Sequence, residues 1–232
     1  MTQEVKLMRR PERHTLQKVI AALLLLSLLL SVVYCVIRLV TVPDSRSDYL
    51  LMLVQCLLGL VVMLLPSILT HRFRIPIPSR MSILYYIFLF CGIVLGEVFR
   101  FYFVFPEWDT FLHFFSGGML TAVGFMLADL LNRDEHIRFS LSPAFVSIFA
   151  FCFALAAGAI WEIHEYNCDV LLGLNMQKHT DASGTPLVGR YALDDTMQDI
   201  KVDARAACLV ATLGYLMNPA RRAIKSAEDI KE

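Results

Sequence analysis

The chain has 232 residues, of which 57% are hydrophobic and 18% charged, and its formal net charge at pH 7 is zero. With a mean hydropathy of +0.59, this composition excludes an ordinary soluble domain and is that of a polytopic membrane protein whose constant partner is lipid. No nucleic-acid partner is expected.

Residues 1–18 form a basic tail carrying Lys6, Arg9, Arg10, Arg13 and Lys18. The apolar run 19–42 that follows is too long and too rich in Leu for a signal-peptide core, and no small-residue cleavage site comes after it. It reads as a retained first span. Further spans are expected at 49–69, 81–103, 108–131, 142–166 and 195–217, with a loop at 167–194 and a short charged tail at 219–232. The fold class is therefore all-α, a bundle of six transmembrane helices filling residues 19–218. Basic residues cluster in the tail, from His71 to Arg80, from Asn132 to Arg138, and at Arg221, Arg222 and Lys225, whereas the alternate short connections hold only Arg46. By the positive-inside rule both termini are cytoplasmic.

On that topology the acidic residues of the later spans share the outer leaflet. The first two spans offer no acidic residue at depth, and Arg38 can snorkel, so they read as scaffold. The segment Lys178-His179-Thr180-Asp181-Ala182-Ser183-Gly184-Thr185-Pro186 is turn-rich and polar, a lid or interfacial loop over the helix ends. Six cysteines show no CxxC spacing and read as small polarisable fillers; Cys168 alone is placed to meet the outside.

Chemistry concentrates at helical spacings. Asp195, Asp199 and Asp203 follow at i, i+4 and i+8, a carboxylate stripe continued by Ala206, Ala207, Val210 and Gly214. Asp194 or Asp195 can be an N-cap, but at ~1.5 Å rise per residue Asp203 lies ~12 Å further along the axis and cannot. Lys201 and Arg205 fall on another face. Asp109 and His113 share a face with Gly117 and Thr121, although Asp109 also reads as a cap after Pro106 and His113 as an interhelical hydrogen bonder. Glu162 and Glu165, at i and i+3, repel unless a cation or proton lies between them, or unless they are merely a solvated helix end. His164 points roughly 200° from Glu162 around the helix. Intramembrane charge is expensive, so carboxylates and an imidazole converging from three helices imply a site. Such oxygens with one imidazole suit a divalent metal ion: Zn, Mn, Mg or Fe.

Asp109-Thr110-Phe111-Leu112-His113-Phe114 with Gly117, Glu162-Ile163-His164-Glu165 after Trp161, and Asp195-Thr196-Met197-Gln198-Asp199 resemble the signatures of the YjdF-like domain of unknown function, a family of bacterial inner-membrane proteins. More distantly they are similar to the VanZ-like family, with an Asp and His in one span and acidic positions in later ones. The resemblance covers about half the chain. It implies a bacterial cytoplasmic-membrane location and the place of a site, not its reaction.

The expectation is a metal-dependent hydrolase or transferase on a lipid-linked or cell-envelope substrate. Asp109, His113, Glu165, Asp195 and Asp199 would be the metal ligands, Glu162 or Asp203 a general base or supporting carboxylate, and Arg100 a phosphate holder. A cation- or proton-coupled transporter is the alternative, and a non-catalytic membrane factor the third. The orientation is checked with single cysteines at Ser183 and Ser79 in a cysteine-free background, which should label from outside and inside respectively. Cytoplasmic labelling of Ser183 would invert the site.

Overall fold

The computed structural model describes residues 3–42, 46–133, 141–181 and 183–217, with the side chains of residues 3–14, 46, 47, 132 and 133 left aside. The basic positions expected around residues 134–138 and the tail 219–232 lie outside these described residues. Within them the chain forms eight α-helices and no β-strand; Thr180 and Pro186 make an isolated antiparallel bridge. The helices are α1 (Gln3–Thr41), α2 (Arg46–Val62), α3 (Leu65–Arg72), α4 (Ser79–Leu89), α5 (Phe101–Val104), α6 (Trp108–Arg133), α7 (Pro143–Leu172) and α8 (Asp194–Met217).

Among the described residues, five stretches are long and apolar enough to cross a membrane: Thr15–Thr41, Asp48–Arg72, Ser79–Val98, Trp108–Leu131 and Pro143–Leu172. The α8 helix, the sixth expected span, has 24 residues. Asp194, Asp195, Asp199, Lys201, Asp203 and Arg205 set its first half apart from the other five. Large apolar residues such as Leu30, Val61, Ile148, Ile160 and Ile163 lie on the outside, while Ser31, Ser82, Thr121, His113 and Glu162 are buried. This inverts the usual arrangement of a water-soluble protein and suits a lipid surround, where helix interfaces favour small and polar groups.

The chain divides into two compact units, residues 1–112 and 113–232, the division falling inside α6. In the first, Leu24 and Leu28 of α1 pack with Met63, Tyr86, Leu89 and Val94. Arg38 Nε donates to the Tyr49 hydroxyl at 2.9 Å, and its guanidinium lies over the same ring. Gln55 Nε2 donates to Glu97 Oε1 at 3.0 Å. Two irregularities break the expected regular spans. Between α2 and α3, Met63 and Leu64 separate the helices, with Pro66 in the first turn of α3. Beyond α4 the helix widens into a π-helical stretch, Phe90–Val98. It closes with Phe99 N–H donating to Val94 O at 3.0 Å, and Arg100 then turns the chain at φ +61°.

The second unit is a three-helix assembly built on stripes of small residues. Buried positions recur on α6 at His113, Gly117, Thr121, Gly124 and Ala128, on α7 at Ala150, Ala154, Gly158, Glu162 and Glu165, and on α8 at Asp199, Asp203, Ala206, Ala207 and Ala211. The contacts give the directions. Gly117 faces Asp203 and Ala206, Gly118 faces Val210, and Gly214 faces Phe125, so α6 and α8 run parallel. Gly124 faces Ala150 and Gly158 faces Asp203, so α7 runs antiparallel to both. Ser142 starts α7 by accepting a hydrogen bond from Phe145 N–H at 3.2 Å, with Pro143 in its first turn, a favoured helix start. Gly173 ends it at φ +67°, its N–H on Asp169 O, an αL cap. The helix thus runs about two turns past Tyr166.

Close approach at Gly124 is the tightest backbone constraint. A Cβ there would sit 2.7 Å from Ala150 Cα, and neither helix backbone can yield locally. Gly124→Ala should destabilise the protein by about 1–3 kcal/mol and lower its melting temperature in detergent. Gly214→Ala should cost less, since it meets the far edge of the Phe125 ring, which can turn. Equal melting of the two variants would contradict this packing.

Candidate metal centre

The acidic end of the second unit gathers residues from all three helices. His113, Glu162, Glu165, Asp199 and Asp203 are each buried, with exposures of 5% or less. His113 stands at the centre. Its Nδ1 lies 3.3 Å from Asp203 Oδ2 and its Nε2 3.8 Å from Glu162 Oε1. Asp109 is one turn earlier on α6, and one potential ligand atom from each of Asp109, His113 and Asp199 comes within 4.8 Å of the others. Glu165 Oε1 accepts from Trp161 Nε1 at 2.9 Å.

Magnitudes show what such a cluster requires. Two like charges 4.8 Å apart repel by about 3–4 kcal/mol at an effective dielectric of ~20. A hydrogen bond to a charged group returns only about 1.5–3 kcal/mol, so one imidazole does not offset several carboxylates. The basic residues of α8, Lys201 and Arg205, are exposed rather than turned inward. Asp203 Oδ1 is buried and meets no hydrogen-bond donor among the described residues. A cation or shared protons would satisfy these oxygens, and carboxylates with one imidazole are donors that Mg, Mn, Fe or Zn accept.

The loop after α7 closes over this end of the helices. Asp169 accepts from Met176 N–H at 2.7 Å and Gln177 N–H at 3.0 Å, and its Oδ2 is 3.2 Å from His179 Nδ1. Gln177 Nε2 then donates to Thr196 Oγ1 at 2.8 Å and reaches the Glu162 carbonyl. Lys178, held at φ +46°, donates to Asp195 Oδ1 at 2.7 Å. Asp195, expected on the same stripe as Asp199, therefore meets the loop through this oxygen. Asp169 and Gln177 escaped sequence reasoning, whereas Lys178 opens the segment read as a lid; Gly173, four residues after Asp169, was the one available signal. Trp161 also donates into the cluster.

Arg100 belongs to the first unit, exposed, with its guanidinium 4.8 Å from the Phe103 ring centre. His164 is exposed and neighbours Cys168, its Nε2 3.6 Å from the Cys168 sulfur.

Fold and cluster together define a helical membrane protein with a buried acidic and histidine group at one end of its second unit. The chain belongs to the family described as "Predicted membrane protein (DUF2238)", whose model matches residues 20–220. It is also 27% identical over 147 residues to an uncharacterized protein of Thermotoga maritima, an alignment covering 63% of this chain and 66% of that protein, just under two thirds of its length. No solved structure matches the chain.

Within the loop, Asp181 Oδ1 accepts from Ser183 Oγ at 2.6 Å, Ser183 N–H at 2.8 Å and Thr185 N–H at 2.9 Å. These bonds, led by the Ser183 hydroxyl, hold its carboxyl below its ordinary value. A depressed pKa stabilises the turn fully above the unfolded value of about 3.9, and the contribution disappears as pH falls through the lower folded value. Protection factors of the Ser183 and Thr185 amides, corrected for intrinsic exchange, should hold steady from pH 8 to 5 and drop in acid. In Asp181→Asn they should be low throughout; an unchanged profile would separate Asp181 from the turn.

Proposed function

We propose that this protein holds a divalent cation at the acidic end of α6, α7 and α8 and uses it on a lipid-linked or cell-envelope substrate, as a hydrolase or transferase. The observation that carries the reading is the buried His113 between Asp203 and Glu162, with Asp109 and Asp199 close enough to share one ion. In this reading Asp109, His113 and Asp199 are the inner ligands. Glu165 and Asp195, each with one oxygen engaged by Trp161 and Lys178, complete the proposed ligand set. When bound, the cation supplies Lewis-acid polarisation of a phosphoryl or acyl oxygen. Glu162 then takes the proton that the attacking group must lose.

Support for a lipid-linked substrate comes from the rim. Leu171, Val188 and Tyr191, around the loop that covers the acidic end, are 78%, 80% and 72% exposed, an apolar and aromatic border of the kind that sits in a membrane interface. A six-span chain with cytoplasmic termini in a bacterial cytoplasmic membrane, and the likeness to the YjdF-like and VanZ-like families, belong to the same reading. Cation- or proton-coupled transport is the weaker reading. Among the described residues the buried positions beyond Thr121 are Gly124, Ala128, Val146, Ser147, Ala150, Ala154 and Ala211, and none of them is titratable.

Elemental analysis of detergent-purified protein tests the proposal. Wild type should carry close to one transition-metal or magnesium equivalent, and Asp199→Asn, which keeps size but removes charge, should lose most of it. Because ligands act as a unit, adding Glu165→Ala should make Asp199→Ala little worse. Metal-free wild type that also fails to take up Zn²⁺ or Mn²⁺ would end this reading.

A further inference from the structure

We infer that Asp203 is the positioning residue of His113, held for that task in a slot that two glycines leave open, and that the imidazole therefore presents Nε2 to the centre. The inference rests on the proposed cation site for its metal readout, but not for its tautomer readout.

Three observations lead to it. Asp203 is 1% exposed, and its Oδ2 is 3.3 Å from His113 Nδ1. With Asp203 Oδ2 as the acceptor of this contact, its proton belongs to Nδ1, leaving the Nε2 lone pair on the opposite side of the ring. That lone pair points to where Glu162 Oε1 lies, 3.8 Å from Nε2. The separation is too long for a direct hydrogen bond. Two acceptor atoms at this distance repel, and a cation shared by Asp109, His113 and Asp199 would relieve that repulsion.

The slot is the third observation. A Cβ on Gly158 of α7 would overlap Asp203 Oδ2 and lie 3.0 Å from its Cγ. A Cβ on Gly117 of α6 would lie 3.0 Å from the Asp203 carbonyl oxygen and 3.1 Å from its Cα. The backbone of Asp203 is thus pressed on one helix and its carboxylate on the other, and the side chain has little freedom to leave His113. Partners that fix the far nitrogen of a ligating imidazole set its tautomer and orientation, and removing one commonly costs 10–100-fold in metal affinity. Gly117 and Gly158 are accordingly site residues that touch no ligand.

The test uses the full chain in detergent, labelled with ¹⁵N-histidine, with His113→Gln assigning the resonance. In metal-free wild type, His113 should show the Nδ1–H tautomer. Calorimetric Zn²⁺ titration should give an affinity about 10–100-fold lower for Asp203→Asn and a similar loss for Gly158→Ala. In the Asp203→Ala background, where the slot is empty, Gly158→Ala should add nothing. If Gly158→Ala fails to fold, Asp203→Asn still decides. An Nε2–H tautomer in wild type, or unchanged Zn²⁺ affinity in Asp203→Asn with wild type binding, would overturn the inference. If wild type binds no Zn²⁺ at all, the cation reading falls separately, while the tautomer still tests whether Asp203 positions His113.

Discussion

Carboxyl groups buried against one imidazole, inside helices whose outer faces are made for lipid, impose the condition on which the second unit depends. Each such group loses several kcal/mol of hydration unless it finds protons, cations or donors nearby. Lipid offers none, so the helices must come close enough to keep it out. That requirement explains why the stripes are so small. Gly117, Gly124, Gly158 and Gly214 allow contacts that any Cβ would obstruct, and Ala150, Ala154, Ala206 and Ala207 continue the same surfaces. A glycine in a helix interior sacrifices about 1 kcal/mol against alanine, an acceptable loss where the alternative is an exposed carboxylate in hydrocarbon.

The same condition shapes the loop. A polar connection between two helix ends has no reason to order itself in water, yet residues 175–179 are tied by Asp169 to the end of α7 and by Gln177 and Lys178 to the start of α8. These bonds join the two helices that supply Glu162, Glu165, Asp199 and Asp203. They also give Asp195 a cation of the chain's own, Lys178, at the mouth of the cluster, where solvent lowers the cost of holding it. Charge is therefore graded along α8, from a carboxylate bridged to lysine at Asp195 to Asp203 enclosed between glycines.

Much of this cluster was legible in the sequence because charge inside apolar helices is conspicuous and helical periodicity assigns faces. His113, Glu162, Glu165, Asp199 and Asp203 fell on inward stripes, and Lys201, Arg205 and His164 on outward ones, as the spacing required. What periodicity does not encode was missed. Asp169 looks like any polar residue at a helix end, and its role comes from backbone donors seven and eight residues later. The π-helical stretch at Phe90–Val98 has an unremarkable apolar sequence, since the widening concerns hydrogen-bond register rather than composition. Apolar length supports five spans; α8 differs because its first half is filled by the charges that make it interesting.

The distribution of titratable groups along the unit finally constrains how any chemistry there is reached. From Thr121 inward the buried positions among the described residues are glycine and alanine with Val146 and Ser147, tightly apposed at Gly124 and Ala150, so no titratable side chain on them leads a proton or ion further along the helices. Access must come from the end covered by the loop or sideways between helices. At that end Leu171, Val188 and Tyr191 are bare, while Lys178 and Asp195 form the nearest charged pair. A molecule suited to both surfaces has an apolar tail to lie along the rim and a polar group to displace or join the lysine and aspartate pair. That combination describes a lipid-borne headgroup better than a free ion or a soluble metabolite, and it ties the proposed chemistry to the membrane that the rest of the chain is built to occupy.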